Sequence, residues 1–222
     1  MADKTSQRGP GNVYPGYDVL AKWNSPSWND KTRDVISHRL AVANEPRFFT
    51  AEEFESVTAM ANRIVPQARL PSRIPVAALL DRKLQDGVLD GYRPASMPRD
   101  GEAWRVGLNA LNAEARSLHS LRFAEIAGPD QDALLQRCEA GELHAPEWAG
   151  MPPGAFFKHR LLHDLVLAYY SHPAAWNEIG WGGPASPRGY VRLDFDDRDP
   201  WEAAEAKPGD EVTALRINRH VR

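Results

Sequence analysis

Cysteine is almost missing from this chain: Cys138 is the single one in 222 residues. That excludes an internal disulfide, a cysteine-rich zinc or iron–sulfur site and the C-x-x-C-H attachment of a covalent haem. Long apolar runs are lacking too, with none near the ~20 residues of a membrane span. Charge of one sign is not in excess, because 27 Lys and Arg face 30 Asp and Glu for a net −3. No general basic field is left for nucleic-acid phosphates, and no nucleic-acid partner is expected. The opening MADKTSQRGPGNVYPGYDV has neither an apolar h-region nor a twin-arginine pair, so the expectation is a chain that is soluble and cytoplasmic as synthesised. Alternating strand patterns are scarce as well.

Helical periodicity is what the sequence has instead. Ser25 and Pro26 read as a cap and first helical position, with Trp28, Val35, Ile36 and Leu40 at helical spacing to about Ala43. Thr50 and Glu53 form a capping box ahead of Phe54, Val57, Ala61 and Ile64, and Pro66 ends that helix. Pro75 opens another, with Val76, Leu79, Leu80 and Leu84 inward and Gly87 at its end. Trp104, Leu108, Leu111, Ala115 and Leu118 make one amphipathic face, and Pro129 starts a helix burying Leu134, Leu135 and Cys138. PPGAFFKHRLLHDLVLAYYSHP predicts a longer apolar helix, whose interior Lys158, Arg160 and Asp164 exclude a membrane span. Only EVTALRINRHV reads as a strand, with Thr213, Leu215, Ile217 and Val221 on one face. The expected fold is mainly α, a single compact helical domain with extended N- and C-terminal arms. The expected division is residues 1–47 as docking arm and first helix, 48–193 as helical domain and 194–222 as C-terminal extension.

Catalytic signatures are sparse. GWGGP follows a helix and runs into Pro184, Pro187 and Arg188, the wrong order for a dinucleotide loop between strand and helix. His159 and His163 stand four apart, a spacing that serves two-histidine metal sites, yet the H-E-x-x-H glutamate is lacking. They stay the candidates for metal binding, against hydrogen-bonded histidines bracing the following loop. No G-x-S-x-G elbow occurs, and Cys138 on an apolar helix face reads as an inert thiol. The segment YYSHPAAWNEIGWGGPASPRGYVRL is different, because its short helix stops at Gly180 and leaves Trp181 among glycines that permit close backbone approach. Trp176 and Trp181 there admit two readings, partner contact or burial beneath the chain's own arms.

AYYSHPAAWNEIGWGGPASPRGYVRLDF, FFTAEEFESVTAMANRIVP, PVAALLDRKL, the Trp104 helix and MPPGAFFKHRLLHD together resemble the gluconate 2-dehydrogenase subunit 3 family, from about Phe48 to Leu193. The resemblance implies a non-catalytic, cofactor-free small subunit of a heteromeric bacterial dehydrogenase. It implies a large FAD-dependent partner of the glucose–methanol–choline class, which oxidises a sugar or sugar acid, often passing electrons to a cytochrome c subunit. It further implies help in maturing or exporting that partner, many members carrying a twin-arginine signal. This chain departs there, so a periplasmic or membrane-associated place is expected only with a signal-bearing partner. No catalytic or cofactor-binding residue is expected in the chain itself. The interface is expected at Tyr170, Trp176, Trp181, Arg188 and Tyr190. The alternative is a free-standing helical metal protein or enzyme using His159 and His163.

Overall fold

The computed structural model describes residues 13–68, 70, 72–185, 189, 199 and 201–221. Along the chain run α1 (Asp30–Leu40), α2 (Ala51–Ile64), α3 (Val76–Gln85), α4 (Asp100–His119) and α5 (Gly128–Ala140). They are followed by α6 (Pro153–Phe156), a π-helical turn (Phe157–Leu162), α7 (His163–Tyr170), α8 (Pro173–Ile179) and α9 (Glu211–Asn218). The class is mainly α, as expected, with no strand among the described residues. None of these helices is long and apolar enough to cross a membrane. The chain groups into two compact units, a central one of Ala41–Ser171 and a terminal one of Met1–Leu40 with His172–Arg222. The expected segments 1–47, 48–193 and 194–222 divide the chain by role, which spatial grouping leaves open.

The central unit starts from buried carboxylates that satisfy backbone donors. Asp81 on α3, 1% exposed, accepts the amides of Arg47, Phe48 and Phe49 at 2.8, 3.1 and 2.9 Å, and so fixes the approach to α2. The capping box then opens α2 as expected, with Glu53 N donating to Thr50 Oγ1 and Thr50 N to the Glu53 carboxylate. On α4, Trp104, Leu108, Leu111 and Ala115 are all buried, whereas Leu118 in the last turn is exposed. Glu114 on the same helix accepts the amides of His144 and Ala145, both at 2.7 Å. The long helix expected over PPGAFFKHRLLHDLVLAYYSHP is not uniform. Its middle is the π turn, which buries Phe157, Arg160 and Leu161. Such turns shift the phase of the side chains that follow.

The terminal unit is built by the two ends of the chain on α8. Tyr17, Val19, Trp28, Ile36, Trp176 and Val221 form its core, with Tyr14, Leu20, Trp23, Trp201 and Ala203 packed on it. Here α1 starts later than expected. Asn29, not Ser25, accepts the third amide of the helix, from Thr32 at 2.9 Å. The expected C-terminal strand is also corrected, because Glu211–Asn218 is helical. Ala214 and Asn218, four apart, are its buried positions, while of the expected strand face Thr213, Leu215 and Ile217 are only half-buried and the buried Val221 lies beyond the helix. The Asn218 amide decides the matter chemically. It accepts from Ala204 N at 2.6 Å and donates to Ala204 O and Pro15 O, both at 3.0 Å, clamping both ends of the chain to α9.

Gly107 gives the fold a direct test. Helix propensity alone favours alanine there by about 1 kcal/mol. A Cβ would, however, lie 2.3–2.6 Å from three ring atoms of the fully buried Phe156. Overpacking of that kind costs ~1–3 kcal/mol, and an overlap this deep belongs at the upper end. Gly107→Ala should therefore lower the thermal midpoint followed by circular dichroism; an unchanged or raised midpoint would show that the ring is not wedged against α4.

Candidate functional site

The densest polar chemistry of the central unit gathers on Arg160, in the π turn and 4% exposed at its side chain. Its Nη1 lies 3.0 Å from Asp100 at the start of α4, 3.4 Å from Asp90 in the loop after α3, and 3.5 Å from Asp164 on α7. Lys83 on α3 adds a second cation, 2.7 Å from Asp90 and 3.3 Å from the fully buried Asp164. Trp104 Nε1 donates to Asp164 Oδ2 at 2.7 Å. His163 Nε2 stands 3.6 Å from Asp90 Oδ2 at the exposed edge. Burial pushes the Asp164 carboxyl above the ordinary carboxylate range, against the pull of Trp104, Arg160 and Lys83. Burial pushes Asp90 upward as well, but its bond to Lys83 and the charges of Lys83, Arg160 and His163 outweigh that and hold it low.

Of the histidine pair expected from spacing, His163 joins a group with two carboxylates. Asp90, His163 and Asp164 each bring one ligand-type atom to within 4.8 Å of one another, and His159 is not in that group. His159 lies in the π turn and His163 directly follows it, at the start of α7. The Lys83 ammonium already sits between the two carboxylates, so the cation that balances them is the chain's own. Cys138 is fully buried with its Sγ 3.4 Å from Pro153 O, and burial with nearby Glu114 and Glu139 pushes its thiol up to about 12. A thiol held protonated at neutral pH is a poor nucleophile.

The aromatic segment of the terminal unit separates the two tryptophans. Trp176 on α8 is 1% exposed, inside the core formed with Trp28 and Val19. Trp181 is 38% exposed and stacks edge-on against Trp176, ring centroids 4.8 Å apart. Gly180 ends α8 at φ +65°, as expected, and a Cβ there would lie 2.6 Å from the Tyr14 ring. At Gly183, φ +69°, a Cβ would lie 3.0 Å from the Trp176 ring and 3.1 Å from the Trp28 ring, so the glycine is what lets the chain pass there. Lys22, 1% exposed, donates to Gly182 O and to Ser27 Oγ and lies 5.1 Å from the Trp28 ring centroid. Of the expected interface residues, Trp181 and, in the central unit, Tyr170 at 43% offer surface, while Trp176 is the brace. Arg188 and Tyr190 lie outside the described residues.

Sequence reasoning missed the ion cluster. Its members come from five segments between Lys83 and Asp164, and the one signal was three charges inside an otherwise apolar helix. Compared with known proteins, the gluconate 2-dehydrogenase subunit 3 family model matches residues 51–183. No curated protein and no solved structure gives a significant match.

The cluster predicts a pH-dependent penalty for losing Arg160. In Arg160→Met, three carboxylates face Lys83 alone, and stranding buried charge costs ~3–5 kcal/mol. Burial already raises the Asp164 carboxyl in the folded state, and losing the Arg160 charge that pulls it down raises it further, so the folded state holds that proton more tightly and stability falls as pH rises through that range. Urea unfolding should show the variant's deficit larger at pH 8 than at pH 5; an equal deficit would mean that packing, not charge, is what Arg160 supplies.

Proposed function

The chain belongs to the gluconate 2-dehydrogenase subunit 3 family, and we propose that it is the non-catalytic small subunit of a heteromeric dehydrogenase. Its partner in this reading is a large FAD-dependent subunit of the glucose–methanol–choline class that oxidises a sugar or sugar acid, with electrons passed on to a cytochrome c subunit where the complex has one. The chain stabilises or matures that flavoprotein.

The observation that carries this reading is the mounting of Trp181. An aromatic ring with 38% of its surface exposed rests on a fully buried tryptophan, between two glycines held at positive φ. Tryptophan is enriched at interface hot spots, and a ring already fixed loses little further freedom when a partner covers it. The buried acids support the same reading from the other side. Asp81 and Glu114 are engaged by backbone amides, and Asp100 and Asp164 by Arg160, so these groups do structural work in the folded chain.

Two variants divide the tryptophans by role. Trp181→Ala should weaken capture of the co-expressed large subunit by roughly thirty- to a thousand-fold, the ~2–4 kcal/mol of a desolvated anchor, with little change in the thermal midpoint of the isolated chain. Trp176→Ala should instead cost ~3–5 kcal/mol of folding stability. Flavin absorbance should follow the large subunit through purification and not this chain. Wild-type affinity in Trp181→Ala, or stoichiometric flavin on the isolated chain, would overturn the assignment.

A further inference from the structure

The helix beneath Trp181, α8, begins with Pro173, which has no amide hydrogen, so the first donors its N-terminus leaves over are those of Ala174 and Ala175. His172 accepts both. Its ring Nδ1 takes the Ala174 amide at 3.2 Å, and its carbonyl takes the Ala175 amide at 3.0 Å. A backbone amide can only donate, so Nδ1 carries no hydrogen and the ring is the neutral Nε2–H tautomer. Serine or asparagine in this place would accept at any pH. An imidazole accepts only while it is neutral.

What α8 carries makes its first turn matter. Asn177 Oδ1 accepts the Val19 amide at 2.8 Å and so ties the helix to the N-terminal segment. Trp176 supports Trp181 twice, by its ring at 4.8 Å and by its carbonyl, which accepts the Trp181 amide at 3.0 Å. The charged groups on the segments that share this core are engaged by other partners. Asp18 accepts from Leu20 N and Asn177, Lys22 donates to Gly182 O and Ser27, Arg33 donates to the carbonyls of Trp23 and Trp28, and Glu202 accepts from the Asp199 amide. Neither these nor Glu178 on α8 itself shifts His172. Burial does, holding the imidazole below its ordinary range.

We propose that His172 is a proton-operated cap on α8: neutral, it seats the first turn and holds Trp181 in place for the large subunit, and protonated, it releases that turn and weakens the surface. The direction follows from linkage. The folded chain needs the imidazole neutral and the unfolded chain does not, so the unfolded state binds the proton more readily. The contribution of the cap is therefore complete above the ordinary imidazole value near ~6.5, and it is lost as pH falls through the lower folded value. A positive ring at a helix N-terminus, where amide hydrogens already point, acts in the same direction. The effect on binding rests on the reading of Trp181 as the anchor for the large subunit; the cap itself does not.

Nitrogen-15 NMR of the full chain tests the cap directly. At pH 7.5 the His172 ring should show an unprotonated Nδ1, and its titration midpoint should lie below ~6.5. Amide exchange of residues 174–179, corrected for the intrinsic pH dependence and referred to α4, should be faster at pH 5 than at pH 7.5 by roughly threefold or more, the range of a lost N-cap. His172→Asn, which caps without titrating, should erase that difference, and His172→Ala should exchange at both pH values as the wild type does at pH 5. Capture of the large subunit should weaken at pH 5 by a similar factor in the wild type relative to His172→Asn. An Nδ1–H tautomer, or a pH response of α8 that is missing in the wild type or survives in His172→Asn, would overturn the cap. Exchange that follows pH while capture does not would overturn the link to binding and remove Trp181 as the anchor.

Discussion

Arg160 has to neutralise carboxylates delivered by three other parts of the chain, and the central unit is arranged around that requirement. A guanidinium keeps its charge in any environment a protein offers, so a buried one must be surrounded by acceptors. Asp90, Asp100 and Asp164 supply them from the loop after α3, the first turn of α4 and α7. Each contact limits the position of a different element. Asp100 also sits in the first turn of its helix, where a negative charge is favoured by the exposed amides. The π turn that carries Arg160 is part of the same solution, because an unbroken α-helix would give the residues on its two sides a different relative phase.

Such a cluster is weak as a source of stability. Desolvating charge consumes most of what pairing returns, and well-packed apolar residues in its place often do as well or better. What it does supply is discrimination between registers. Shifting α7 by one residue against α4 would part Asp164 from Trp104 and strand buried charge, a penalty of several kcal/mol that an apolar contact would not impose. Trp104 joins the two kinds of packing. Its ring stacks edge-on with Phe49 and Phe156, and its Nε1 reaches Asp164, so the apolar core and the ion cluster share one side chain.

Local signals were legible in the sequence where one segment carried the whole cause. The Thr50 and Glu53 box, the Trp104 to Ala115 face and the Gly180 stop each depend on residues within a turn or two, and each is found. The C-terminal segment misled because Thr213, Leu215, Ile217 and Val221 alternate while Ala214 and Asn218 keep helical spacing. Over eight residues both periods fit, and the arbiter is the Asn218 clamp to Pro15, some two hundred residues away in sequence. The ion cluster was illegible for the same reason. Lys83, Asp90, Asp100 and Asp164 look like ordinary surface charges until the fold collects them, and nothing in a heptapeptide window marks a π turn. Trp28 and Tyr17 show the converse. Aromatics in a Pro- and Gly-rich segment announced that the segment packs, but not that it packs on this chain's own α8.

The terminal unit thus spends two kinds of order on one small surface. Tyr17, Trp28 and Trp176 bury large rings to hold α8 in place, and Lys22 brings a buried ammonium to the Gly182 carbonyl one residue past Trp181. A lysine brought to 1% exposure loses most of its hydration, a sacrifice that close acceptors and an aromatic face offset only in part. Had the segment served the core alone, an apolar side chain at position 22 would pack against Trp28 without that penalty. The ammonium does what an apolar group cannot: it fixes a backbone carbonyl in a stretch where the left-handed glycines at 180 and 183 would otherwise leave the chain many alternatives. With the carbonyl held after it and Trp176 beneath it, Trp181 has few rotamers left to lose. In the proposed reading, the ordering that a partner would otherwise have to impose on this loop is done during folding.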